Sequence, residues 1–355
     1  MSTNQEEIVY VLSDLLQGPL TSLEILPGGL EEWETMELPP DSQRPNPKFP
    51  FVLVEGNLGI PKKVLRALYL AAVSTKFNSR TSAPREAIAA TSTIILLNPA
   101  HQSALNTRKR LIEQGHLDAK TELVLTGLIS RGSPEAGKQS IMWDHRRWCF
   151  RRIYGVMGPT TTTVPSLTSC SIPAEQQFFP KITPTAVREE LSIIQHTCQT
   201  YPRNYHAWAQ WNYLLNLCFT SVYLPENKGE QREFLGIILD EYARMRSWVA
   251  QHVSDYSAMF QLFQCQKVID RLSADGLLSI MPPGDTPLEL LGHALSLVEA
   301  FPTHESLWLY LRLILGELSA ERRMQILKDE QLQDSEHKRR LIAWFSRETG
   351  DGPRK

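Results

Sequence analysis

The sequence predicts an all-α chain, a superhelix (solenoid) of stacked helical hairpins, and three observations carry that prediction. Five stretches superpose on one another, several are preceded by a helix closing on a proline, and no convincing period-two strand pattern interrupts them. The windows are 101–108 (HQSALNTR), 139–146 (QSIMWDHR), 204–211 (NYHAWAQW), 255–262 (DYSAMFQL) and 304–311 (HESLWLYL). Each opens on a polar residue. Asn204 and Asp255 are good helix caps, because a short side-chain oxygen can accept from a backbone N–H that the first turn leaves free. Four positions later stands a large apolar anchor: Leu105, Trp143, Trp208, Met259 and Trp308. In the first two windows an arginine follows three residues beyond, Arg108 and Arg146, on the anchor's face of the helix. The interval from Leu105 to Trp143 lies within the roughly 34 to 47 residues usual for stacked helix pairs. Later intervals are longer and require insertions.

Taken in order, the chain opens on an apolar-rich helix over about 6–16, and 27–50, crowded with Pro and Gly, reads as an irregular connector. The run 51–54 (FVLV) is extended but too short to found a sheet, and Gly56 and Gly59 break it. Pro61 suits the first turn of a helix continuing through Leu65, Leu68, Leu70 and Val73. Another helix runs over 84–97, with Ala87, Ile88, Ile94, Ile95 and Leu96 among its apolar residues. The proline-closed helix ends are LLNP (96–99), TYP (200–202) and AFP (300–302). One insertion is visible at 158–184, rich in Thr, Ser and Pro and expected to be a mobile loop, and another at about 277–287. The domain organisation is therefore 1–83, a helical cap and connector; 84–318, the repeats; and 319–355, a helical segment and tail.

With 42% hydrophobic residues in 355, the chain can bury a large core. Lys plus Arg number 37 against 39 Asp plus Glu, a net charge of −2, which exerts no global pull on nucleic acid or anionic lipid. No apolar run is long enough for a membrane span, and the first residues (MSTNQEEIVYVL) lack the signature of a secretory signal. The five cysteines, Cys149, Cys170, Cys198, Cys218 and Cys265, are dispersed and odd in number, as expected of free thiols in a cytoplasmic protein.

The anchor tryptophans read as core, filling the gap between successive helix pairs, with ligand stacking as the alternative. Arg108 and Arg146 satisfy carbonyls at neighbouring helix ends or reach a carboxylate. Neither HExxH nor a paired Cys/His set occurs, so no metal site is expected on this chain; His145, His206, His252 and His304 are assigned to capping or packing. Phosphate-binding glycine loops are missing, and no Ser-His-Asp or Cys-His arrangement can be singled out. One stretch could touch chemistry. Arg203, Asn204, Tyr205 and His206 set a cation, a hydroxyl and an imidazole at the positive end of a helix, where an anion such as a diphosphate can be received. The plainer alternative is that Arg203 is a solvated residue before a helix.

The repeated pattern of cap, aromatic, two spacers, Trp, two spacers and Arg resembles the protein prenyltransferase alpha-subunit repeat. NYHAW at 204–208 and LNP at 97–99 are close to it, and HESLWLYLRLIL at 304–315 looks like a last repeat in which Leu replaces Arg. The likeness extends over about 84–318. FVLVEGNLGI (51–60), the WxxxHVSDYS run (248–257) and FPTHESLW (301–308) are similar to the branch described as protein prenyltransferase alpha subunit repeat-containing. Departures are Leu105 at the first anchor, Trp211 in place of the third Arg, and Met259 with Leu262 in the fourth window.

The resemblance implies a right-handed α–α superhelix around a separate beta subunit that holds the catalytic zinc and the isoprenoid pocket. The partner it implies is the beta subunit shared with Rab geranylgeranyltransferase, and the product a thioether between a C-terminal cysteine of a protein substrate and a geranylgeranyl, or farnesyl, group. Zinc on that partner would present the substrate thiol as thiolate to C1 of the prenyl diphosphate. The family's Lys or Arg before the NYHAW-like run, which faces the diphosphate, matches Arg203, with Tyr205 two residues on. Arg108, Trp143, Arg146, Asn204, Trp208 and Trp308 fall at the structural and interface positions of the repeat. The expected function is a cytoplasmic alpha-type subunit, inactive alone and without metal or cofactor of its own. Its rival is a helical-repeat scaffold or Rab-escort-like adaptor that takes no part in catalysis.

Overall fold

The computed structural model describes residues 2–35, 37–75, 77, 83–156, 179–224, 229–280, 290–328, 332 and 334–348. The all-α helical-repeat class expected from the sequence is what the chain adopts: sixteen α-helices stand among the described residues, with a few short strands. By contacts the chain divides into two units, Met1–Gly155 with Glu189–Gln210, and Val156–Arg188 with Trp211–Lys355.

The first unit begins with α1 (Ser2–Gln17), β1 (Ser22–Leu26), α2 (Leu30–Glu34), β2 (Val52–Val54), β3 (Asn57–Pro61) and α3 (Lys62–Ser74). Here the structure corrects the sequence reading, because β1, β3 and β2 form a three-stranded sheet in that order. β1 runs parallel to β3, pairing Leu23 with Leu58 and Ile25 with Ile60, and β2 runs antiparallel to β3. The run does stop before Gly56, which closes a hairpin, but Gly59 breaks nothing: it lies inside β3, paired with Glu24 and Val52. Glu55 (φ 50°) and Gly56 (φ 79°) form a two-residue turn with both central φ angles positive, the turn whose twist matches paired strands. The connector also carries the short α2, and Pro61 ends β3 and precedes α3 rather than lying inside it.

Then come α4 (Pro84–Leu97), α5 (Gln102–Glu113), α6 (Ala119–Gly132), α7 (Pro134–Gly137) and α8 (Ser140–Tyr154). α4 matches its predicted bounds and starts with Pro84 at a first-turn position, where a missing N–H costs nothing. It is buried over 89–96, and packs against α1, α3 and α5. β1 lies on α6, where Gly132 allows the close approach: a Cβ there would stand 2.3 Å from the Leu23 carbonyl oxygen. Two-residue strands β4 (Gly155–Val156) and β5 (Phe179–Pro180) flank most of the Thr-rich insertion, whose residues 158–178 lie outside the described residues.

After α9 (Pro184–Thr200) and α10 (Tyr205–Tyr223) come α11 (Gln231–Gln251), α12 (Tyr256–Ala274), α13 (Leu290–Ala300), α14 (Glu305–Gly316), α15 (Ala320–Leu327) and α16 (Glu336–Glu348). In the second unit α12 packs on α11 and α14, α14 on α13 and α16, and α15 on α16. The second expected insertion includes a 3-10 turn, Leu277–Ile280, and continues into 281–289, outside the described residues. No helix among the described residues is long and apolar enough to cross a membrane.

All five windows share one register. The residue opening each window immediately precedes a helix: His101 before α5, Gln139 before α8, Asn204 before α10, Asp255 before α12 and His304 before α14. His101, Asn204 and Asp255 use their side chains to accept the N–H of the residue three positions on. The anchors Leu105, Trp143, Trp208, Met259 and Trp308 are all buried, and so is every residue three places beyond them. Burial of each apolar anchor is worth roughly 1.5–3 kcal/mol, which is how the helices hold when the anchor changes from Trp to Leu or Met.

Candidate functional site

The candidate site lies at the turn between α9 and α10. After α9 ends at Thr200, Pro202 has no N–H with which to continue it. Arg203 then reverses the chain with φ 61°, a left-handed conformation that costs a side-chain-bearing residue about 1 kcal/mol. Asn204 is buried and fixes the start of α10. Its Oδ1 accepts from the Ala207 N–H at 3.2 Å, while its Nδ2 donates to the Gly137 carbonyl at 2.7 Å. The same carbonyl receives the Trp143 indole N–H at 2.8 Å. Gly137 must lack a side chain here, because a Cβ would stand 2.2 Å from Thr197 Cγ2 on α9.

That frame leaves Arg203 and Tyr205 exposed, Tyr205 at 68%. Among the described residues neither the Arg203 guanidinium nor the Tyr205 hydroxyl has a hydrogen-bond or ion-pair partner. The Tyr205 ring meets His206 edge-on, centroids 5.5 Å apart, and Lys138 reaches over the Tyr201 ring at 4.4 Å while bonding Glu135 at 2.8 Å. An unpartnered cation and a phenol thus stand beside the first turn of a 19-residue helix, whose N-terminal amides carry partial positive charge.

The other sequence-selected residues are brought together elsewhere, inside the helix layers. Arg108 donates from Nε to both Glu122 oxygens, at 2.8 and 2.9 Å, and from Nη2 to Oε2 at 2.5 Å, while Nη1 reaches Thr91 and Ser92 on α4. Arg146 is bidentate to Glu190 on α9, with Nη1 donating to the Leu123 carbonyl and to Thr126. Of the two roles open for these arginines, carboxylate pairing dominates and carbonyl bonding accompanies it. Where Trp211 replaces the third arginine, its indole N–H donates to Glu241 at 2.5 Å, so a carboxylate again meets this position. Where Leu262 follows, α13 buries Leu290, Leu291, Ala294, Leu297 and Val298 and no carboxylate. Trp308 is buried and donates to the Pro302 carbonyl at 2.8 Å, the turn-closing bond that Trp143 also makes.

Glu122, Glu190 and Glu241 are the residues sequence reasoning missed. A signal existed: Glu122 sits in the apolar stripe of α6 between Ala119 and Leu125, and Glu190 in that of α9 between Val187 and Ile193. A carboxylate in such a stripe requires a buried donor. Burial alone would raise the Glu122 carboxyl, but the Arg108 charge and the bonds from His145 and Arg108 outweigh it and hold it well below the usual range. His145 Nε2 lies 2.7 Å from Glu122. Cys149, behind it, has its thiol pushed well up, by burial first and by Glu122 second, as for an inert core thiol. Cys198, Cys218 and Cys265 are likewise buried and in no disulfide, and Cys170 lies outside the described residues. No group of three or more His, Cys, Asp or Glu able to hold a metal occurs among the described residues.

Comparison with known proteins falls on this same hairpin. Residues 187–218 match the family described as Protein prenyltransferase alpha subunit repeat. The chain is 26% identical over 289 residues to Protein prenyltransferase alpha subunit repeat-containing protein 1 of Danio rerio, covering 74% of this chain and 63% of that one. It is 27% identical over 299 residues to the Homo sapiens protein of the same name, 74% and 68% covered, and 25% identical over 300 residues to the Xenopus laevis protein 1-B, 75% and 64% covered. The chain therefore spans a little under two thirds of the first of these relatives. The resemblance read from the sequence, to the alpha-subunit family and its repeat-containing branch, is borne out.

Proposed function

We propose that this chain, which carries a protein prenyltransferase alpha subunit repeat, is the alpha-type subunit of a heterodimeric protein prenyltransferase. One observation carries the reading: within the matched residues, a turn held by buried bonds presents an unpaired Arg203 and an exposed Tyr205 at a helix N-terminus. A left-handed arginine is a strained residue, and strain retained at an exposed position fits a site that needs its guanidinium there.

In this reading the partner is a beta subunit of the Rab geranylgeranyltransferase type, which brings the zinc and the isoprenoid pocket. The acceptor cysteine sulfur forms a bond to C1 of the prenyl diphosphate while the C1–O bond breaks, and the electron pair leaves with the diphosphate. Arg203 neutralises charge gathering on that diphosphate, and Tyr205 donates a hydrogen bond to it. The exposed edges of the repeat clamp the partner and help select a protein ending in cysteine. The chain alone is inactive, and its cellular setting is the cytoplasm.

The test is co-expression with a geranylgeranyltransferase beta subunit followed by size-exclusion chromatography and a transfer assay. Co-elution with prenyl transfer supports the proposal. Failure to co-elute sinks it and leaves the scaffold reading. Arg203→Ala is expected to keep the complex and lower kcat by roughly 10²-fold, the scale for removing one donor to developing charge. A wild-type rate in that complex removes Arg203 from the diphosphate while leaving the assembly.

A further inference from the structure

A second surface, in the other unit, has a different chemistry. α16 is fastened by Leu341 and Phe345, both buried, which occupy its inward face against α14 and α15. The adjacent face carries Arg340, Trp344 and Arg347 at the helical spacing i, i+4, i+7. Facing it across a groove of about 300 Å³ are Trp308, Leu309 and Arg312 of α14. Trp344 is 45% exposed, and the Arg312 guanidinium lies 4.6 Å from its ring centroid. Three guanidinium groups thus line an apolar floor, against one lining carboxylate, Glu305. Arg340 is bonded to Glu336, one turn earlier on α16, at 2.5 Å, and Arg312 and Arg347 have no carboxylate partner among the described residues.

We propose that this groove docks an acidic amphipathic helix of a partner protein, its apolar side chains on the Trp308 and Trp344 floor and its carboxylates on the arginines. The charge of the lining calls for an anion, and its spacing says which kind. Arg340 and Arg347, seven residues apart on one helix, are separated by about 10 Å along its axis. One phosphate does not span that distance, whereas acidic residues two turns apart on a helix do. A groove with aromatic rings on its floor and charge on its walls suits helix-in-groove docking. A bilayer is disfavoured as occupant, because it is entered by protruding apolar groups, and the floor here is recessed between two helices.

The experiment uses the full chain and a fluorescein-labelled helix-forming peptide of about 18 residues, long enough to be helical, with Leu at every third and fourth position and Glu beside them. Saturable binding by anisotropy is expected. The double variant Arg340→Glu/Arg347→Glu, at exposed positions, should weaken it about tenfold or more, and should gain affinity for the same peptide with Lys in place of Glu. Trp344→Ser should weaken the acidic peptide while leaving the thermal melt in place. Any of three results overturns the proposal: no saturable binding, equal binding by the double variant, or displacement of the peptide by phosphatidylserine vesicles. The test needs no prenyltransferase partner, so its outcome is separate from that of the proposed activity.

Discussion

Arg108 and Glu122 lose their water together inside α4, α5 and α6, and removing either alone strands a charge in an apolar core. Arg108→Ala is expected to cost about 3–5 kcal/mol in denaturant unfolding, whereas the paired change Arg108→Met/Glu122→Leu should return most of it. A double variant no more stable than the single one would count against this. The pH dependence has a definite sign. The folded Glu122 carboxyl is held low, so its contribution is fully present above its unfolded value of about 4.3 and is lost as pH falls through that value toward the folded one. Glu122→Gln, though less stable at neutral pH, should show a shallower fall in stability below about pH 4, read from melts in acid buffers. Arg203 behaves oppositely, because its conformation is a cost. Arg203→Asn, which tolerates positive φ better, should leave stability unchanged or raise it by about 0.5 kcal/mol. A loss above about 1 kcal/mol would mean that the arginine side chain is held in place by the fold.

At the scale of the element, the unit of construction is a helix whose start is tied to the turn before it. The Gly137 carbonyl holds Trp143 of its own repeat and Asn204 of the next, so the mouth of α10 is set from α7. Asn204→Ala removes both a cap and this tie and should cost about 1–2 kcal/mol. Gly137→Ala should cost more, through overpacking against Thr197. Adding Thr197→Ser, which deletes the methyl in the way, is expected to recover part of that loss. Calorimetric melts of the two variants showing no recovery would mean that the backbone, not the methyl, blocks the side chain.

For the whole molecule, the repeat survives exchange of its residues. The position seven after each cap is Arg, Arg, Trp, Leu and Leu, and the residue is buried every time. Carboxylates on the facing helices meet the arginines and Trp211, so chemistry at this layer changes in pairs while the hairpin stays. An assembly of the kind proposed makes a further prediction. Binding of a beta subunit to the folded chain alone should raise its melting temperature, and raise it further with partner concentration. A melt indifferent to the partner would leave the chain a scaffold.

Much of this was legible because it is local. Caps, anchors and the helix face three residues beyond them lie within one helix, where backbone geometry relates side chains by number alone, so five windows could be aligned and α4 bounded from residues. The sheet was not legible, since β2 has three residues and β1 and β3 five each, too few to display a period, and the β1 with β3 pairing joins segments 35 residues apart. The arginine at 203 and the aromatic at 205 could be read as an anion site, but the bond that anchors the residue between them joins Asn204 to Gly137, 67 residues away. Glu190, 44 residues from Arg146, is the same case. Short-range geometry is written into residue order; which distant groups lose water together depends on how the helices stack.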